Sequence, residues 1–239
     1  MSFQTCLITG NSTGLGLAFT RNLLENGSEV YGFSRRGCDF KHDRLHDARI
    51  NLADLDSIQP ALASLLAGVT SLDLVVLNAG ILGQIEPMQQ VKMSALAQLM
   101  DINVWSNKRI LDYLYESGIS VKQVVAISSG AAVNGNKGWG AYSLSKATLN
   151  MLVKLYAVEH PQTHFVAFAP GLVDTQMQDH LCDPVLVDEL QFPSVKKLRA
   201  ARGTQAMPTP IVAAENMLGV FPRLEADISS GEFIDMRSL

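Results

Sequence analysis

The stretch TCLITGNSTGLG, residues 5–16, decides how the chain is read. Its first half, TCLITG, is an apolar run of strand length closed by a glycine. Its second half, TGNSTGLG (9–16), places Gly10, Gly14 and Gly16 in a turn that opens a helix. Glycine lets a backbone turn tightly and come close to a ligand. The helix that follows offers unpaired N–H groups and the positive end of its dipole. Strand, glycine-rich turn and helix together predict a pyrophosphate cradle, with Asn11, Ser12, Thr13 and Leu15 as further contacts. A purely structural turn is the competing reading of the same glycines.

Working outward, short apolar runs alternate with longer helical patterns. Leu15, Phe19, Leu23 and Leu24 recur at helical spacing over 15–27, and Gly27 stops the helix. EVYGFSR (29–35) reads as a second strand and ARINL (48–52) as a weaker third. Residues 55–68 read as a helix in which Pro60 must fall near the first turn or kink the axis. LDLVVLNAG (72–80), VKQVVAISS (121–129), THFVAFAPG (163–171) and GEFIDM (231–236) are further strands. Residues 92–116 and 141–160 are long helices, and 211–219 a short one. Near-continuous apolar strands are buried on both faces, which requires a parallel sheet covered by helices on each side. The expected fold is α/β: one domain over 1–239 with a doubly wound parallel sheet, the Rossmann fold. Residues 172–210 hold Pro184, Pro193, Pro208 and Pro210 and read as irregular, an expected lid over a site.

Composition narrows the function. The 239 residues are 47% hydrophobic and 18% charged, enough for one large core. A formal charge of −4 offers no basic field to nucleic acid. Lys196, Lys197, Arg199 and Arg202 form the densest basic cluster, read as a solvated helix face. Cys6, Cys38 and Cys182 are odd in number and lack CxxC spacing, so neither a disulfide framework nor a metal site is expected. The five histidines show no ligand spacing and read as surface residues. No apolar stretch has membrane-spanning length and no signal peptide opens the chain, so a cytoplasmic protein is expected.

The end of the second strand reports on the cofactor. NAD-binding folds place a carboxylate there to accept from the ribose hydroxyls. Here Ser34 is followed by Arg35 and Arg36, which repel no 2′-phosphate and can grip one through guanidinium forks. NADP is therefore expected over NAD, against the alternative that both arginines are merely exposed. Asn51 and Leu52 end the third strand near the adenine. Asn78, Ala79 and Gly80 end the fourth, where a bulky side chain would crowd a cofactor.

The chemistry lies further along. Ser128 and Ser129 end the fifth strand at its carboxyl edge, where open α/β sheets bind ligands. Tyr142 starts a helix and Lys146 follows one turn later on the same face. A carbonyl reduced by hydride needs a proton for its oxygen. Tyr142 can give one if the Lys146 ammonium lowers its pKa from about 10 towards neutrality. Ser129 can share the developing charge on the oxygen. Strand alternation turns the Ser128 hydroxyl to the other face.

With TGNSTGLG, LNAG, DIN (101–103), ISS (127–129), YSLSK (142–146) and PGLVDT (170–175), the chain resembles the short-chain dehydrogenases/reductases over essentially its whole length. The resemblance implies a tetrad of Asn103, Ser129, Tyr142 and Lys146, with Asn103 holding a water linked to the lysine and Lys146 also holding the nicotinamide ribose. It implies that Asn78 and Gly80 flank the cofactor and that Pro170, Gly171, Val173 and Thr175 touch the nicotinamide carboxamide. It also implies a homodimer or homotetramer, often built on 92–116 and 141–160. Two positions depart from the pattern: Asn51 stands where Asp is common, and LNAG replaces NNAG.

Within that family, ISSGAA, GWGAYS and VAFAPGLVDTQMQ are similar to sepiapterin reductases and bacterial benzil reductases, which implies NADPH-dependent reduction of ketones and diketones. Trp139, Leu172, Met177 and Leu181 are the candidate pocket residues, with simple packing as the alternative for the last three. Asp235 matches the position of a pterin-anchoring aspartate, or is an exposed strand-end carboxylate. Running in reverse as an alcohol dehydrogenase, or serving as a non-catalytic NADP-binding regulator, are the other functions this fold allows. Epimerases and dehydratases of the extended family need a further C-terminal domain for which 239 residues leave little room.

Overall fold

The computed structural model describes residues 3–239. Seven strands pair in parallel in the order β3-β2-β1-β4-β5-β6-β7. They are β1 (Thr5–Thr9), β2 (Glu29–Ser34), β3 (Leu45–Arg49), β4 (Ser71–Leu77), β5 (Ser120–Ile127), β6 (His164–Ala169) and β7 (Glu232–Asp235). The helices are α1 (Gly14–Glu25), α2 (Leu55–Leu65), α3 (Met93–Met100), α4 (Ser106–Glu116), α5 (Gly140–Glu159), α6 (Gln176–Cys182), α7 (Pro193–Ala201) and α8 (Pro210–Asp227).

Strand alternation explains the continuous apolar runs. Leu7, Val75, Val124 and Ala126 face one core with Ile58, Leu62, Leu111 and Val153 of α2, α4 and α5. Their neighbours Cys6, Ile8, Leu74, Val76 and Val125 face the other, under Phe19 of α1 and Phe221 of α8. Those two rings sit 5.8 Å apart between centroids. The sheet runs outward from β1 in one direction and from β4 in the other, so the crevice between their carboxyl ends is the switch point where such sheets bind ligands.

Several sequence expectations are corrected. The third strand is Leu45–Arg49 rather than 48–52, because LHDAR is an edge strand with a wet face, while Ile50 and Leu52 pack into the core from the following loop. Residues 92–116 are not one α-helix: a π turn at Asp101–Trp105 separates α3 from α4. Side chains brace that wider turn, Ser106 Oγ donating to the Ile102 carbonyl at 2.7 Å and Asn107 Nδ2 to the Asn103 carbonyl at 2.8 Å. Pro60 lies inside α2, beyond its first turn. The short helix expected at 211–219 is the 18-residue α8, which continues through Pro222 on the burial of Val220, Phe221 and Leu224. Residues 172–210 hold two helices, α6 and α7. His164 is buried in β6, where its Nε2 lies 2.9 Å from the Ile228 carbonyl. Among the described residues no helix is long and apolar enough to cross a membrane, and no cluster of three or more His, Cys, Asp or Glu could hold a metal ion.

Candidate active site

A cleft of about 460 Å³ opens at the switch point. Gly10, Ser12, Thr13, Gly14 and Leu15 form its floor. Gly10 and Gly14 have φ of 72° and 55°, the left-handed region that favours glycine. Gly16 is required for a different reason. A Cβ there would fall 2.3 Å from the Gly10 carbonyl oxygen, so α1 can close on the turn only without a side chain. Thr13 caps α1 with no side-chain hydrogen bond, which leaves the first amides of the helix free for an anion. Thr9 ties the two sides of the crevice together: its hydroxyl accepts from the Asn78 and Ala79 amides at 2.9 and 2.8 Å. The Asn78 side chain returns a bond to the Thr9 carbonyl at 2.9 Å.

Two residues of the glycine motif stand away from the cleft. Asn11 is fully buried, and its amide donates to Asp47 Oδ1 at 2.7 Å. Gly16 faces the Gly10 carbonyl and Asn78. Ser34, Arg35, Arg36, Asn51, Leu52, Asn78, Ala79 and Gly80 all line the cleft. Ser34 is buried and its hydroxyl accepts from the Gly37 amide at 3.0 Å, which shapes the loop carrying the arginines. Arg35 and Arg36 are exposed and have no ion-pair partner among the described residues. Pro170, Gly171, Val173 and Thr175 follow β6 along the opposite wall.

Ser129, Tyr142 and Lys146 meet at the inner end of the cleft. β5 delivers Ser129 and the first turns of α5 deliver the other two. Lys146 is 4% exposed, its ammonium donating to the Ile127 carbonyl at 2.7 Å and lying 5.8 Å from the Tyr142 ring centre. Burial pulls the Lys146 pKa down to about 8. Burial also pushes the Tyr142 phenol up to about 12, and a hydrogen bond with Ser129 pulls the other way. The direction is opposite to that expected of a tyrosine brought towards neutrality by its lysine: both groups are buried, and desolvation sets the direction of each shift. The Ser128 hydroxyl is taken by Asn150 Oδ1 at 2.5 Å.

Asn103 sits in the π turn, fully buried behind this group. Its side chain exchanges two bonds with Ile81, at 2.8 and 2.9 Å, and donates to Ser145 Oγ at 3.0 Å. Ser145 in turn donates to the Tyr142 carbonyl at 2.8 Å. A Cβ on Gly80 would lie 3.2 Å from Asn103 Oδ1 and 3.5 Å from Lys146 Nζ, so a small residue there keeps both side chains within one space. The link that Ser145 makes between Asn103 and α5 follows only from the packing.

Trp139, Leu172, Met177 and Leu181 line the wider mouth, joined by Leu198 of α7. Leu198 carries no sequence signal, because its place depends on how α7 folds back. The Trp139 indole donates to Ser194 Oγ of α7 at 2.8 Å and meets the Tyr142 ring edge-on at 6.2 Å. Asp235 does not line the cleft. Arg237 holds its carboxylate through two bonds at 2.8 and 2.6 Å, which keeps its pKa below the usual range. The placement expected of a ligand anchor is corrected accordingly. In the basic cluster, Arg199 pairs with Glu189 at 3.1 Å and Arg202 with Asp174 at 3.1 Å, so half of that cluster is engaged in holding 172–210 in place.

Comparison with known proteins places this geometry among relatives. Residues 4–184 match the family model described as short chain dehydrogenase. A benzil reductase ((S)-benzoin forming) of Bacillus subtilis is 28% identical over 242 residues, covering 97% of each chain. An uncharacterized oxidoreductase of Schizosaccharomyces pombe is 34% identical over 181 residues, 73% of each chain. The crystal structure of a short chain dehydrogenase/reductase from Saccharomyces cerevisiae shares the fold with a TM-score of 0.82 at 24% identity, covering 98% of this chain and 96% of that one.

Proposed function

The chain belongs to the short-chain dehydrogenase family of oxidoreductases, and on that premise we propose that it is an NADPH-dependent carbonyl reductase acting on ketones and diketones. The observation that carries this reading is the convergence of Ser129, Tyr142 and Lys146 on the cleft whose floor is the glycine-rich turn. Support for a dinucleotide comes from that turn: a side chain on Gly10 would press on Ala79 at 3.0 Å, and the free amides of α1 suit a pyrophosphate. Support for NADP comes from the unpaired Arg35 and Arg36 at the end of β2, in a cleft whose lining includes no carboxylate. The 28% identity to a benzil reductase supports a diketone-like substrate, and Trp139, Leu172, Met177 and Leu181 give it an apolar wall.

When bound, the reduced cofactor supplies a hydride to the carbonyl carbon. Tyr142 gives its phenolic proton to the carbonyl oxygen as the C=O π pair moves onto it. A pKa near 12 keeps that proton loaded at neutral pH. Ser129 donates a hydrogen bond to the same oxygen. The Lys146 ammonium, charged at pH 7 with a pKa of about 8, stabilises the tyrosinate left behind. A water held by Asn103 returns the proton through Lys146. Residues 172–210 act as the substrate lid, and the molecule works as a homodimer or homotetramer.

The test is the Tyr142→Phe variant, assayed for ketone-dependent NADPH oxidation beside a panel of ketones, diketones and pterins with NADPH and NADH. We expect a fall in kcat/KM of about 10²-fold or more. An unchanged rate would overturn the Tyr142 mechanism, a wild type with no ketone-dependent oxidation across the panel would favour a non-catalytic dinucleotide-binding regulator, and a clear preference for NADH would overturn the reading of Arg35 and Arg36.

A further inference from the structure

The glycine-rich turn, the arginine loop and the edge strand meet at one carboxylate that the reaction does not use. Asp47 Oδ1 accepts from Asn11 Nδ2 at 2.7 Å, and Asp47 Oδ2 accepts from the Cys38 amide at 2.8 Å. Cys38 closes the triangle. Its thiol donates to the Asn11 carbonyl at 3.2 Å, and its sulfur accepts from Asn11 Nδ2 at 3.2 Å.

Asn11 reaches β3 only because β2, the strand between, lacks a side chain at the crossing. Gly32 pairs in register with Asp47, and a Cβ on Gly32 would fall 2.2 Å from Asn11 Nδ2. The buried amide therefore runs from the turn that carries Ser12 and Thr13, across Gly32, to a carboxylate that also holds the far end of the arginine loop. Arg35 and Arg36 lie between two fixed points: Ser34, which accepts from Gly37, and Cys38, which is tied to Asp47.

We propose that Asp47 is a positioning residue for the dinucleotide. It fixes the separation of the glycine-rich turn from the Arg35–Arg36 loop, so that a pyrophosphate and a 2′-phosphate are gripped at a set distance. Ordering that loop before binding removes an entropy cost that binding would otherwise carry. The inference rests on the NADPH reading and deepens it. It also opposes the simplest electrostatic expectation. A carboxylate near an anion site repels the anion, so by charge alone Asp47→Asn should tighten NADPH binding. As a clasp, Asp47 uses both oxygens as acceptors, and asparagine keeps only one. The clasp therefore predicts weaker binding.

The experiment measures Kd for NADPH and NADH, steady-state kinetics and melting temperature for the wild type, Asp47→Asn, Asn11→Ala and their double variant, with Arg35→Ala/Arg36→Ala as reference. Asp47→Asn should raise Kd for NADPH about tenfold, the scale of one lost charge-assisted hydrogen bond, while kcat at saturating NADPH changes little. Asn11→Ala, which leaves the charge in place, should do the same, and the double variant should be no worse than either single one. Wild-type or tighter NADPH binding by Asp47→Asn overturns the proposal. So does loss of the fold in both single variants, which would make the contact one of stability alone. A wild type that prefers NADH, or a reference variant that binds NADPH normally, overturns the NADPH reading; the clasp is then decided by the same Kd shift measured with the preferred dinucleotide.

Discussion

At the scale of the residue, Tyr142 and Lys146 show burial overriding proximity. Both are driven towards their neutral forms, the tyrosine upwards and the lysine downwards. For Lys146 the consequence has a definite sign. Its proton leaves at about 8 in the fold and near 10.5 in the unfolded chain. Below pH 8 both states hold the proton, so the fold carries the whole cost of a buried charge, on the order of 3 kcal/mol. Between pH 8 and 10.5 the unfolded chain binds more protons, and stability rises with pH. Lys146→Met should therefore be inactive yet melt higher than the wild type at pH 7, with the gap narrowing by pH 10. A gap that stays constant over that range would contradict the burial reading. The same ionisation should make kcat/KM for ketone reduction fall as pH rises through about 8, because the tyrosinate loses its neighbouring charge. A pH–rate profile of the free enzyme checks this.

At the scale of the element, the sequence placed six of the seven strands and set the third, β3, too late, and it blurred features whose cause is tertiary. The π turn at Asp101–Trp105 and the full length of α8 depend on what packs against them, and apolar periodicity alone does not encode either. The segment 172–210 is the clearest instance. Its prolines read as loop, yet Pro193 and Pro210 start helices, where a missing N–H costs nothing. Of these helices, α7 is joined to the N-cap of α5 by a bond from Trp139 Nε1 to Ser194 Oγ. Ser194→Ala should cost about 1 kcal/mol of stability and raise KM for the ketone several-fold while leaving KM for NADPH unchanged. Steady-state kinetics with each substrate varied separately would show it. A change in KM for NADPH instead would mean that α7 acts on the cofactor end.

At the scale of the whole molecule, one surface of α5 exposes an apolar stripe. Leu144, Met151, Leu155 and Val158 lie on one stripe of the helix and are exposed, Val158 at 78%. Substituting Leu155 and Val158 together by Glu should shift the sedimentation coefficient to a smaller species while NADPH binding persists. An unchanged coefficient would show that this stripe is not a subunit contact. By itself the sequence determined the parallel sheet, the glycine turn at 9–16 and the serine, tyrosine and lysine set, because these follow from local rules: strands buried on both faces are continuously apolar, tight turns need glycine, and i, i+4 residues share a helix face. Only the tertiary structure decided that Asn11 turns inward to Asp47 and that Arg237 occupies Asp235. It also decided that Lys146 and Tyr142 are both desolvated, that Leu198 lines the cleft and that Ser194 accepts from Trp139. Apart from the Arg237–Asp235 pair, which is local, these features join residues far apart in the chain, and their partners and burial exist only once the sheet has brought those segments together.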